Sequence, residues 1–124
     1  YIHNADITFI KSDLYKELPN DIRFDLIVSN PPYIRTGEIE KLDDEVKDFE
    51  PKLALDGGKD GLDFYKKILN LSKDFINKNG SLYFEIGYDQ AKDVVDLAKK
   101  EGYYNIKIIK DLSGKDRGIS MRVD

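Results

Sequence analysis

Phe24-Asp25-Leu26-Ile27-Val28-Ser29-Asn30-Pro31-Pro32-Tyr33 is the stretch that decides the fold. Its first half is short, nearly continuous in apolar character and rich in β-branched residues, which predicts a buried parallel strand. Two prolines then end the strand. Neither has an N–H for a ladder, and each fixes its own φ. The residue before a proline is pushed towards extended backbone, so Asn30 and Pro31 are both held stiffly. The expected result is a rigid platform at the carboxyl end of a strand, where open α/β sheets bind their ligands.

The platform carries acceptors. Asn30 has a side-chain carbonyl oxygen, and Pro31 has a backbone carbonyl that no turn need consume. Two such oxygens side by side suit a planar –NH2 group with two hydrogens to place. An amide or aromatic amine is a poor nucleophile because its lone pair is delocalised. Accepting both hydrogens lets the nitrogen pyramidalise and frees that pair, a form of stabilisation aimed at the transition state. Tyr33 adds an aromatic face and a phenol at the rim. The plainer alternative is a strand-ending Pro-Pro turn whose asparagine only caps the loop.

Working outward, Ala5–Lys11 holds Ile7, Phe9 and Ile10 and reads as a short strand, followed by Ser12-Asp13-Leu14-Tyr15. Asp13 is placed to accept from a ligand or, more simply, to serve a turn. Lys16–Asp21 reads as a surface loop. Beyond the platform, Ile39, Leu42 and Val46 recur at helical spacing, which predicts a short amphipathic helix. Three glycines in the five residues Gly57–Gly61 predict a tight loop. It lacks the Gly-Lys-Ser/Thr ending of a phosphate-binding loop. A helix is expected from about Asp60 or Leu62 to about Lys78, with Phe64, Ile68, Leu71 and Phe75 as its stripe, Tyr65, Leu69 and Ile76 widening it, and Asn79-Gly80 as its stop. Ser81–Ile86 reads as a strand. Asp89 is a good N-cap for a helix that presents Ala91, Val94, Val95 and Ala98 on one face. Strands follow around Ile106–Ile109 and Ile119–Val123, linked by a Gly114-containing turn. The order predicts an α/β fold, its sheet mainly parallel with an antiparallel hairpin strand at the end.

The chain has 124 residues, 40% of them hydrophobic, enough for one core. Its formal net charge is -4. That balance weighs against a nucleic-acid duplex as the main partner, which calls for clustered Lys and Arg. The absence of cysteine excludes disulfides and thiolate metal sites and is compatible with a cytoplasmic protein. The single histidine, His3, reads as a solvated residue, and no metal site is expected. No run is long and apolar enough to span a membrane.

Asn30-Pro31-Pro32-Tyr33 resembles the signature of S-adenosylmethionine-dependent methyltransferases that act on exocyclic or amide nitrogens. The likeness extends to Phe49–Leu55, Gly57–Tyr65, Glu85-Ile86-Gly87 and Asp111–Arg117, which together resemble the HemK/PrmC family of protein-glutamine N-methyltransferases. The resemblance implies a Rossmann-like methyltransferase fold, with S-adenosyl-L-methionine as cofactor. It implies as substrate the glutamine of the Gly-Gly-Gln motif in a peptide-chain release factor. By resemblance Asn30 and Pro31 accept the amide hydrogens, Pro32 and Tyr33 complete the substrate site, and Asp13, Leu14 and Asn30 lie against the cofactor. Glu50 is expected to support the platform loop.

One departure matters. The family's glycine-rich cofactor loop should lie upstream of Asp13, where this chain has twelve residues and no glycine. The helical domain that recognises the release factor is absent too. Residues 1–124 are therefore expected to be the C-terminal portion of a class I methyltransferase catalytic domain, incomplete in its N-terminal half. In the family's sheet order, 3-2-1-4-5-7-6, the Phe24–Val28 strand would be left as an edge open to self-association. Two other readings stay open: an amino-methyltransferase acting on adenine or guanine in DNA or rRNA, and a non-catalytic α/β fragment.

Overall fold

A computed structural model describes residues 5–42 and 51–123. In chain order they form β1 (Phe24–Ser29), a 3-10 helix (Thr36–Lys41), α1 (Lys52–Leu55), α2 (Asp63–Ser72), β2 (Ile76–Glu85), α3 (Ala91–Lys100), β3 (Tyr104–Lys110) and β4 (Asp116–Arg122). The strands make one sheet in the order β1-β2-β4-β3. β1 runs parallel to β2, with Val28 opposite Tyr83. β4 runs antiparallel between β2 and β3, with Ile119 opposite both Phe84 and Ile108. Three strands thus share a direction and β4 alone opposes them. The order corresponds to the 4-5-7-6 portion of the expected sheet. The carboxyl ends of β1 and β2 and the β3–β4 turn all lie at one end.

The core is built by period. Alternate residues of β2 point to one face, so Leu82 and Phe84 are buried together, with Ile86 just beyond the strand. Ile119 and Met121 of β4 continue that face. Tyr65, Ile68 and Leu69 of α2 and Val94 and Ala98 of α3 cover it, at the i, i+3, i+4 spacing of a helix stripe. The Tyr65 and Phe84 rings meet edge to face with centroids 5.1 Å apart. Each fully buried aliphatic or aromatic side chain here contributes about 1.5–3 kcal/mol. The Tyr65 hydroxyl donates to the Glu85 carbonyl at 2.8 Å, so the ring is buried without leaving its polar tip unpaired.

Several expectations are corrected. Residues 5–11 form no strand; Phe9 is 91% exposed, and the segment pairs with no described strand, leaving the outer edge of β1 open. The long helix stops at Ser72, and its last predicted turn belongs to β2, because Phe24 N–H donates to the Phe75 carbonyl at 2.7 Å and Phe24 pairs with Ile76. Phe75 leaves the helix stripe to stack on Tyr15, centroids 4.7 Å apart. Asn79 adopts φ 64 within β2 and is no helix stop. Asp89 is not an N-cap: α3 begins one residue later, after Gln90, with no side-chain cap. Of the helix predicted around Ile39, Leu42 and Val46, Ile39 is buried in a 3-10 turn, while Val46 and Glu50 lie outside the described residues.

The β3–β4 turn is held by Asp111. Its carboxylate accepts from the N–H groups of Ser113 and Lys115 at 2.9 and 3.1 Å and from Arg117 Nε at 3.4 Å. The Lys115 N–H, then that of Ser113 and the Arg117 guanidinium, hold the Asp111 carboxyl below the usual carboxylate range. A carboxyl whose pKa is lowered by folding stabilises the fold above its unfolded value and stops doing so as pH falls through the lowered value. Acid titration followed by NMR is therefore expected to free the Ser113 and Lys115 amides only once the pH falls below the usual aspartate range. In Asp111→Asn the same amides should show no such transition.

Candidate active site

The β1 backbone delivers Asn30 to the carboxyl end of the sheet, and the chain then turns through Pro31, which is buried, and Pro32 and Tyr33, which are half-buried. Asn30 itself is exposed. Together with Leu55 and Glu85 these four residues line a recess of about 220 Å3. Among the described residues no hydrogen bond uses the Asn30 side chain or the Pro31 carbonyl. Glu85, at the end of β2, is among the residues lining the same recess. The sequence reading included it in a motif without assigning it a role.

A second, larger cleft of about 860 Å3 lies on the other side of Pro32. Asp13, Leu14, Pro32 and Phe64 are among its walls. Pro32 borders both cavities, so the predicted site residues fall into two adjoining groups. Asn30, Pro31 and Tyr33 line the smaller recess; Asp13 and Leu14 line the cleft. Asp13 is exposed and pairs with Lys16 at 2.9 Å, and that hydrogen bond and charge hold its carboxyl below the usual range. Leu14 sits at φ 54 and packs against the core.

The post-strand loop is fixed by the glycine segment that follows α1. Ile34 N–H donates to the Leu55 carbonyl at 3.1 Å, and Gly57 N–H donates to the Ile34 carbonyl at 2.8 Å. Thr36 Oγ1 and the Gly58 N–H both donate to Asp56 Oδ1, at 2.6 and 3.0 Å. The contact leaves no room for side chains. A Cβ on Gly57 would lie 2.7 Å from Tyr33 Cα and 2.9 Å from the Pro32 carbonyl oxygen. Gly57 is therefore required for close backbone approach.

Gln90 completes the frame and was missed by sequence reasoning, which looked to Asp89 as a helix cap. Its side chain is 1% exposed. The Gln90 Oε1 accepts from Gly87 N–H at 2.9 Å, while Nε2 donates to the carbonyls of Tyr33 at 3.0 Å and Gly61 at 3.3 Å. Nearby, Arg35 pairs with Asp89 at 3.1 Å on the surface. An exposed pair of this kind is worth about 0–1 kcal/mol. Stranding a buried carbonyl costs about 1–3 kcal/mol, so Gln90 is the stronger tether. Periodicity gave no signal for it, because its role depends on three loops distant in sequence.

The structure aligns with that of a methyltransferase from Pyrococcus furiosus with a TM-score of 0.56 at 24% identity, over 82% of this chain and 42% of that one. It also aligns with a protein-(glutamine-N5) methyltransferase (release factor-specific) from Alicyclobacillus acidocaldarius, TM-score 0.52 at 26% identity, over 82% of this chain and 50% of that one. The fold is thus an incomplete Rossmann-like methyltransferase sheet. In sequence, a family model described as Eco57I restriction-modification methylase matches residues 2–90. A release factor glutamine methyltransferase of Clostridium botulinum is 52% identical over 97% of this chain and 44% of its own length. One from Clostridium acetobutylicum is 45% identical over 94% of this chain and 39% of its own length. The chain belongs to the methyltransferase family described by that model, and its relatives place it in the HemK/PrmC family that its motifs resemble. It spans less than half the length of these curated relatives.

The packing of Gly57 on the platform generates a test. Gly57→Ala should displace the loop, shifting the amide resonances of Tyr33 and Ile34 while those of β3 and β4 stay in place. Unchanged Tyr33 and Ile34 resonances would show that the glycine segment does not set the platform's position.

Proposed function

We propose that this chain is the C-terminal portion of the catalytic domain of an S-adenosylmethionine-dependent methyltransferase that methylates a side-chain amide. The substrate is the glutamine of the Gly-Gly-Gln motif in a peptide-chain release factor. The observation that carries this reading is a pair of acceptors that no described residue engages, Asn30 Oδ1 and the Pro31 carbonyl, side by side in sequence at a strand tip that lines a small recess. The curated relatives' names and the near-complete coverage of this chain support the substrate class. The relatives' greater length supports a whole protein in which upstream strands cover the β1 edge, where Leu26 and Val28 are 57% and 65% exposed.

Asn30 and Pro31 each accept one hydrogen of the amide –NH2 and draw the nitrogen out of conjugation with its carbonyl. Tyr33 packs against the amide and limits its rotation. The nitrogen gains a bond to carbon and loses one proton, which would pass to water or to Glu85, a residue lining the recess. S-adenosylmethionine, when bound, would supply an electrophilic methyl on a sulfonium sulfur, with a neutral thioether as leaving group. Its fit rests on the cleft of about 860 Å3 beside Pro32. That size suits a nucleoside-bearing ligand. Leu14 and Phe64 offer apolar surface to a base, and Asp13 offers an acceptor if it gives up part of its bond to Lys16.

One observation favours a second reading. The restriction-modification model covers the platform, and adenine also presents an exocyclic –NH2. Labelled methyl transfer by the whole protein to a release factor, set against transfer to DNA and rRNA, separates the two. Label is expected in the release factor and lost when its glutamine is replaced; label in nucleic acid alone would support the second reading. Asn30→Ala in the whole protein is expected to lower kcat about 10²-fold with little change in KM. A rise in KM alone would contradict the role given to Asn30.

A further inference from the structure

We infer that Gln90 is a positioning residue for methyl transfer, holding the Asn-Pro-Pro-Tyr platform in register with the end of β2; the inference rests on the methyltransferase reading above. The platform cannot hold itself. Pro31 and Pro32 have no N–H to give to a ladder, and β1 has no described neighbour on its outer side. Past the prolines, the Tyr33 carbonyl is where the loop is tied to α3, and the tie is the Gln90 carboxamide. The same amide nitrogen reaches Gly61 at 3.3 Å, and the amide oxygen takes the Gly87 N–H at 2.9 Å. One buried side chain therefore joins the loop after β1, the glycine loop before α2 and the turn after β2.

The residue type is dictated by its partners. Two carbonyl oxygens need two N–H donors, and one N–H needs an acceptor, all from one planar group. A carboxylate of the same shape would place negative charge against two carbonyl oxygens. A leucine would fill the volume and pair with nothing. The surrounding glycines leave the amide in place: a Cβ on Gly61 would come within 2.8 Å of Nε2, and one on Gly87 within 2.8 Å of Oε1. Small displacements of a reacting group are costly in rate, so loosening this tether acts on the chemical step rather than on cofactor affinity.

Two measurements test this. In the chain itself, hydrogen exchange of Gln90→Leu should speed at the Ile34 and Gly57 amides and stay unchanged at Leu82 and Ile119. In the whole protein, Gln90→Leu should lower kcat about tenfold or more, with the dissociation constant for S-adenosylmethionine held within about twofold. Should Gln90→Leu fail to fold, Gln90→Glu decides. Its carboxyl can donate to a carbonyl only when protonated, so its kcat relative to the parent should rise as pH falls from about 8 to about 6. Exchange that speeds equally in every strand, an unchanged kcat, or a pH-independent kcat ratio for Gln90→Glu would overturn the inference. If the parent protein methylates neither a release factor nor nucleic acid, the functional reading fails, and the exchange result still decides whether Gln90 holds the platform.

Discussion

A strand that ends in two prolines must be anchored by something other than its own ladder, and the rest of this structure follows from that constraint. Asn30-Pro31-Pro32-Tyr33 is stiff in its dihedrals yet poor in hydrogen-bond donors. Its position is set from outside, by backbone packing of the glycine segment and by the buried carboxamide of Gln90. Stiffness keeps the two candidate acceptors together, and external anchoring aims them. Among the described residues no hydrogen bond uses Asn30 Oδ1 or the Pro31 carbonyl, which is what the proposed grip on a guest requires.

The sheet supports this arrangement through its order. Placing β2 between β1 and β4 gives β2 neighbours on both sides and buries Leu82, Phe84 and Ile86 under α2 and α3. The end of β2 is then a fixed reference point, from which Gly87 and Gln90 reach across to the platform. On the far side, β1 presents Leu26 and Val28 to solvent. A parallel strand ordinarily has both faces covered, so under the proposed reading this exposed face of β1 is where the remainder of a larger domain would pack. The relatives' greater length fits that view.

Much of the fold was legible in the residues. The run Phe24–Val28, the hairpin around Gly114 and the stripe of α3 are local patterns, and each formed its element. The burial expected of the first did not follow: Leu26 and Val28 are exposed, since no described element covers that face of β1. The platform was legible because proline acts through its own covalent geometry. Other features were not local. The Ala5–Lys11 run has the composition of a strand but no partner, and a strand exists only as a pair. The end of α2 was misjudged because Phe75 and Ile76 continue a helical stripe while serving Tyr15 stacking and β1 pairing instead. Gln90 was invisible for the opposite reason: its neighbours in space come from three loops, and one polar residue at the head of a helix carries no period.

The central claim is that two oxygens at a strand tip grip a flat –NH2. It is tested most directly by a crystal structure of the whole protein bound to a peptide containing Gly-Gly-Gln. The account predicts the glutamine amide nitrogen at about 3 Å from both Asn30 Oδ1 and the Pro31 carbonyl oxygen, in hydrogen-bonding range. A glutamine bound elsewhere, or one whose amide meets neither oxygen, would contradict it.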